Sequence, residues 1–258
     1  MSSIDPRAVI SPKAELAADV SVGAYAIIGP EVTIGPGCWI APHAVLNGPM
    51  SMGSHNRVFQ FASLGDAPQD KKYKGEPTRL EIGDRNVFRE YCTVNRGTVT
   101  GNTVTRVGND NMLLAYTHVG HDCTLGDNIV LSNLTMLGGH VELGDWVICS
   151  AYAGVHQFCK VGPHAFIANN TAVTRDVPPY VLVEGRPAEP HSVNSEGLKR
   201  RGFSEEQIRG IRNAYRVLYR SDLKLADAAA RLQELARGKP ELQLFVDFIT
   251  SSTRSIVR

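Results

Sequence analysis

Aliphatic residues recur at every sixth position over the first part of the chain. Ile10, Leu16, Val22, Ile28, Ile34, Ile40, Leu46, Met52, Val58 and Leu64 follow one another at this spacing without a break. The residue after each is mostly small (Ala17, Gly23, Gly29, Gly35, Ala41, Gly53, Gly65), and the residue two before it is small or apolar (Ala14, Val20, Ala26, Val32, Cys38, Ala44). A period of six matches neither the helical turn nor the two-residue alternation of a strand. After an interruption the pattern resumes at Ile82, Phe88 and Val94. After a second it runs through Val107, Leu113, Val119, Leu125, Leu131, Leu137, Leu143, Cys149, Val155, Val161, Ile167 and Val173, with Cys149 alone departing from an aliphatic. This is the signature of a mainly β fold, a parallel β-helix in which three hexads complete one coil. About 25 hexads predict roughly eight coils, stacked about 4.8 Å apart. The aliphatics point inward to fill the prism, and the small follower is expected to permit the tight corner.

The interruptions, residues 66–79 and 98–104, are polar and rich in turn formers, so both are expected to protrude as loops. Leu64 and Ile82 lie 18 residues apart, three hexads, so the first excursion is expected to preserve the register. The hexads stop at Val177-Pro178-Pro179. After a connector to about residue 191, Ser204-x-x-Gln207 reads as a capping box opening a helix whose apolar face carries Ile208, Ile211, Tyr215, Leu218 and Tyr219. Two more helices are expected near 224–237 and 240–253, with Pro240 acceptable in a first turn. The chain is therefore divided into a β-helix domain, residues 1–190, and a small α-helical C-terminal domain, residues 191–258.

Charge narrows the function classes. With 27 Lys and Arg against 26 Asp and Glu, the net charge of +1 lacks the basic field that a nucleic-acid protein needs. The first ten residues carry no cationic segment followed by an apolar run, and no stretch is long and apolar enough to span a bilayer. A cytoplasmic protein without membrane insertion is expected. Five irregularly spaced cysteines, with no C-x-x-C, suit small buried hydrophobes better than a disulfide framework or a zinc ribbon.

Because one coil is 18 residues, positions 18 apart stack in uninterrupted coils. His121 then lies beneath Gly139 and Gly139 beneath Gln157, Asp122 beneath His140, and Gly138 beneath His156, with His118 on the same coil as His121. Three histidines share one edge within about 10 Å of axis. A single histidine there would read as a solvated surface residue; a β-helix corner has no structural need for the cluster. Two chemistries fit it. Imidazoles from neighbouring coils suit a zinc ion with an open position for water, and hence a hydratase. Alternatively one neutral imidazole takes a proton from a hydroxyl while the others bind substrate, with the Gly139 N–H facing the developing oxyanion. A catalytically idle scaffold is a third reading, disfavoured by the His121–Gly139 pairing.

The strings GEPTR (75–79), IGDRN (82–86), RGT (96–98), HVGHDC (118–123), GGHV (138–141), VHQFC (155–159), DVPPYV (176–181) and NSEGLKRRGF (194–203) resemble, nearly end to end, the UDP-N-acetylglucosamine O-acyltransferases that begin lipid A synthesis in Gram-negative bacteria. The resemblance implies a left-handed β-helix, a homotrimer with sites between neighbouring prisms, and no metal or other cofactor. It further implies transfer of a (3R)-hydroxyacyl chain from acyl carrier protein to the glucosamine 3-hydroxyl. By position, His121 matches the general base, Gly139 the oxyanion-binding glycine, and Asp122 the residue placed to orient the base. Asp70 and Lys72, with Gln69 beside them, match substrate-holding loop residues. His118, His140 and His156 match other site histidines, and Gln157, Asn194, Glu196, Arg200 and Arg201 match positions near the nucleotide or acyl chain. Taken alone, Lys199-Arg200-Arg201 would read as a solvated helix edge. Arg209, Arg212, Arg216 and Arg220, spaced 3, 4 and 4, form a stripe suited to an acidic carrier protein.

Two positions depart from the family pattern. Asn95 stands where a histidine is usual, which raises the 3-amino analogue of the sugar nucleotide as an alternative acceptor. Asn169 stands where glycine leaves room for long acyl chains, which predicts a shorter chain.

Overall fold

A computed structural model describes residues 3–258. The chain winds as a left-handed parallel β-helix with three flat faces, of nine, eight and ten strands. On the first face Ile10, Ile28, Leu46, Leu64, Val94, Val119, Leu137, Val155 and Val173 stack in register, and the other hexad aliphatics do the same on the second and third faces. From Val22 onward every one of them is buried. Truncating one in mid-prism, such as the fully buried Leu131, should cost about 2–5 kcal/mol, since neighbouring coils cannot collapse into the gap. All five cysteines are buried free thiols. No described helix is long and apolar enough to cross a membrane.

The corners work differently from the sequence expectation. Apart from Gly65, left-handed backbone falls not at the small follower but three residues before most of the aliphatics, at Tyr25, His43, Phe61, Tyr91, Tyr116, His140, Trp146, Phe158 and His164 among others. A bulky residue there costs roughly 1–2 kcal/mol. The conformation stacks rings from coil to coil, as between Tyr91 and Tyr116 at 4.8 Å, and these contacts offset part of the strain. Gly65 excepted, the follower glycines have ordinary φ; a Cβ on Gly23 would meet the Pro42 nitrogen at 2.5 Å, and one on Gly35 the Gly53 carbonyl carbon at 2.7 Å. They are small because the next coil touches them.

The first loop also behaves differently. Leu64 pairs with Val94, and Ile82 with Met52, so Leu64 and Ile82 lie on successive faces rather than one above the other. The excursion adds twelve residues to the corner between the first and second faces and the second loop adds seven to the same corner one coil on, which leaves Ile82 paired with Val107. Arg96 pins the first loop, donating through Nη1 to the carbonyls of Gly48 (2.8 Å) and Gly65 (2.7 Å) and through Nη2 to the Tyr73 hydroxyl (3.2 Å).

The expected connector after residue 178 is a hairpin. Val181–Glu184 adds a parallel strand to the third face, and Glu189–Val193 pairs with it antiparallel. A short helix missed by the periodicity, α1 (Ser195–Arg200), precedes α2 (Glu205–Tyr219), α3 (Leu225–Leu235) and α4 (Pro240–Ser251). The Ser204/Gln207 capping box is formed, and Ile208, Ile211, Tyr215 and Leu218 are buried. Tyr180 joins the two parts, its ring against His164 and Phe245 and its hydroxyl donating to the Glu241 carbonyl at 2.9 Å.

Candidate active site

The corner between the first and second faces brings His118, His121, Asp122, Gly139, His140, His156 and Gln157 together. The stacking arithmetic holds: the His140 N–H donates to the His121 carbonyl, and Gly139 lies directly over the His121 imidazole. His121 Nδ1 is 2.8 Å from Asp122 Oδ2, and His140 Nε2 is 3.6 Å from the same oxygen. The His121 and His140 rings meet edge-on, with centroids 5.2 Å apart, and His140 stacks on Phe158 at 4.3 Å. His118 Nδ1 is 2.7 Å from Thr93 Oγ1, and His156 Nδ1 donates to the Gln157 carbonyl at 3.1 Å.

Asp122 is fully buried, and the second loop wraps its carboxylate. Burial alone would raise its pKa, but hydrogen bonds from Thr98, His121 and Asn102 outweigh burial and hold it below the usual carboxylate range. An ionised Asp122 requires the proton of neutral His121 on Nδ1, which leaves Nε2 as an acceptor. Burial depresses His118, reinforced by His121, and burial likewise depresses His140 against the pull of Asp122. Both are therefore neutral at pH 7.

The corner opens into a cavity of about 560 Å³ whose lining includes Gln69, Asn95, His118, His121, Gly139, His156 and Gln157. Met136, Gly154 and Ala172 form its apolar floor, each 18 residues after the last, starting from His118. Sequence reading missed them, although the same arithmetic would have found them. No described residue stands within 4 Å of where a Gly154 Cβ would lie, so that stretch of floor is an open trough. Asn95 is buried; its Nδ2 donates to the Ala67 carbonyl at 3.0 Å, but its Oδ1 has no partner among the described residues. Asp70 Oδ1 accepts from the Lys72 N–H at 2.9 Å, and the Lys72 side chain is exposed.

The remaining residues expected at the site lie elsewhere in this chain. Asn194 caps α1, accepting from the Gly197 N–H and donating to the His164 carbonyl at 3.0 Å. Glu196 pairs with Lys199, and Arg200 is exposed. Arg201 lies over the Trp146 ring at 5.2 Å and donates to His164 Nδ1 at 3.1 Å, on the corner between the second and third faces. Asn169 is an exposed corner residue leading to Ala172–Val173 and does not line the cavity.

His121, Asp122 and His140 place one ligand atom each within 4.8 Å of one another, a set able to hold a metal ion. Asp122 Oδ2, the oxygen facing both imidazoles, already accepts from Thr98 Oγ1 at 2.6 Å and meets His121 Nδ1. That oxygen is committed to protons, which suits a base and its orienting carboxylate better than a metal ligand.

A family model described as UDP N-acetylglucosamine O-acyltransferase, domain 2, matches residues 176–257. The acyl-[acyl-carrier-protein]–UDP-N-acetylglucosamine O-acyltransferase of Stutzerimonas stutzeri is 51% identical over all 258 residues, covering 100% of both chains. The chain belongs to the UDP-N-acetylglucosamine O-acyltransferase family. It is an acyltransferase. Among solved structures, the UDP-N-acetylglucosamine acyltransferase of Francisella novicida superposes with a TM-score of 0.97 at 42% identity, covering 99% of this chain and 94% of that one. That of Bacteroides fragilis also gives 0.97, at 38% identity, covering 99% and 100%.

Proposed function

We propose that this acyltransferase moves a (3R)-hydroxyacyl chain from acyl carrier protein to the glucosamine 3-hydroxyl of UDP-N-acetylglucosamine, in the cytoplasm, as the opening step of lipid A synthesis. The observation that carries the mechanism is His121 held by Asp122 at 2.8 Å directly beneath Gly139. His121 Nε2 takes the proton of the attacking hydroxyl, whose oxygen bonds to the thioester carbonyl carbon. Among the described residues the Gly139 N–H has no acceptor, which leaves it for the resulting oxyanion. Collapse breaks the carbon–sulfur bond, and the imidazolium returns the proton to the thiolate. Asp122 steadies the imidazolium without accepting its proton.

Asn194, Glu196, Arg200 and Arg201 lie away from His121 within one chain, so both groups act on one substrate only if a second copy brings its Arg201 edge to the first copy's cavity. A homotrimer with shared sites supplies that. The exposed stripe Arg212, Arg216 and Arg220 lines a hollow of about 430 Å³ with His191 and Ser195, and Arg209 lines the neighbouring one with Lys239. This cationic surface suits the acidic carrier protein.

One observation favours a second acceptor. The unpartnered, buried Asn95 Oδ1 at the cavity wall calls for a ligand donor, and an amine in place of the 3-hydroxyl keeps an N–H to give after attack. The test is acyl transfer by chelator-treated protein from a series of 3-hydroxyacyl carrier proteins to the hydroxyl and 3-amino sugar nucleotides, wild type against His121→Ala. Transfer that survives chelation and collapses in the variant supports the base. Activity restored only by zinc overturns it, and a clear preference for the hydroxyl sugar removes the amine reading.

A further inference from the structure

The second loop is more than a bulge on the prism. Four hydrogen bonds run from it to one carboxylate: the Thr98 N–H lies 3.0 and 3.1 Å from Asp122 Oδ1 and Oδ2, Thr98 Oγ1 is 2.6 Å from Oδ2, and the Asn102 N–H is 2.9 Å from Oδ1. The Thr98 hydroxyl is also 3.2 Å from Thr100 Oγ1, which can donate to it and so fix its own proton on Asp122. From below, Thr105 Oγ1 accepts the Asp122 N–H at 2.8 Å. Gly101 closes the cradle; a Cβ there would lie 2.5 Å from both Asp122 Cγ and His140 Cε1. Any residue at position 98 could supply the backbone donor, but only a hydroxyl supplies the shortest contact, made to the oxygen that faces His121.

We propose that Thr98 is a positioning residue: its hydroxyl holds Asp122 as an ionised, correctly aimed acceptor for His121 Nδ1–H, and so keeps Nε2 the basic nitrogen of the catalytic imidazole. The inference rests on His121 being the general base. The titratable groups facing the carboxylate are His121 and His140, with Glu142, Lys160 and Arg254 lining the hollow behind them. Thr98, Asn102 and Thr105 are neutral, so replacing the hydroxyl leaves the local charge unchanged.

The experiment compares Thr98→Val, an isosteric loss of the hydroxyl, with Thr98→Ser, which retains it, in the full-length enzyme, with His121→Ala alongside. Thr98→Val should lower kcat about ten- to hundredfold with KM for the sugar nucleotide within about twofold. It should also move the acid limb of the kcat profile to higher pH, because a carboxylate that has lost the Thr98 donor holds the His121 imidazolium more tightly. Thr98→Ser should restore kcat to within about threefold of wild type and return the acid limb. An unchanged kcat and pH profile in Thr98→Val, or a folded Thr98→Ser as impaired as the valine variant, overturns the proposal. Full activity in His121→Ala would instead remove the base reading on which it stands, so the two failures are distinguishable.

Discussion

Gly139 and His121 fit together with no room for another atom: a Cβ on Gly139 would stand 2.6 Å from His121 Cε1 and 2.7 Å from Nε2. Gly139 has ordinary φ, so the need for glycine comes from the imbalance of space above the imidazole rather than from backbone conformation. Gly139→Ala must push the ring away from its Asp122 contact or lift the next coil. We expect kcat to fall at least about a hundredfold, measured by single-turnover acyl transfer, with the thermal midpoint changed by only a few degrees.

His164 makes stability pH-dependent. Burial, reinforced by Arg201, pushes its pKa down to about 4. In the unfolded chain an imidazole titrates near about 6.5, so below that pH the unfolded state takes up a proton that the folded state refuses. The contribution of neutral His164 is intact above about 6.5 and drains away as the pH falls towards about 4. The thermal midpoint should drop across this window, and His164→Gln, which keeps an acceptor for Arg201, should flatten the drop.

Arg216→Glu with Arg220→Glu should raise KM for acyl carrier protein about tenfold or more at low salt, with the difference shrinking as ionic strength rises. Transfer from a small thioester that lacks the carrier protein should be unaffected. Equal losses with both donors would remove this stripe from carrier recognition.

A site shared between copies predicts complementation. His121→Ala and Arg201→Ala, each impaired alone, should regain activity when co-expressed, because mixed trimers contain sites with both intact halves. If co-expression gives no more than the sum of the separate variants, the two groups do not serve one site.

Asn169 lies outside the cavity of its own chain, so it can limit the acyl chain only where a neighbouring copy brings it to the groove; on that condition Asn169→Gly should shift donor preference towards longer 3-hydroxyacyl chains, read from relative kcat/KM over a donor series. An unchanged preference would detach Asn169 from chain-length selection.

The prism is legible in the residues because its core is one-dimensional. Each inward position sees the same axis, so the chemistry of Ile28, Leu64 or Val119 reports its place directly, and a fixed 18-residue coil turns His121, Gly139 and His140 into neighbours by counting. The α2 helix was equally readable, since its capping box and apolar face are local. Counting fails where the coil length changes. The two loops break the 18-residue rule, so the Leu64–Val94 pairing, the Asn95 wall and the Thr98–Asn102 cradle around Asp122 came only from the folded chain. The left-handed corner residues were hidden for a related reason: Tyr91, Tyr116 and Phe158 are poor left-handed residues in isolation, and only the stacked coil offsets their strain. The sequence by itself determined the repeat, the buried aliphatics and the histidine edge, all of which depend on periodicity. Tertiary structure decided which donors hold the carboxylate and which atoms line the cavity, because those contacts join segments whose spacing follows no period.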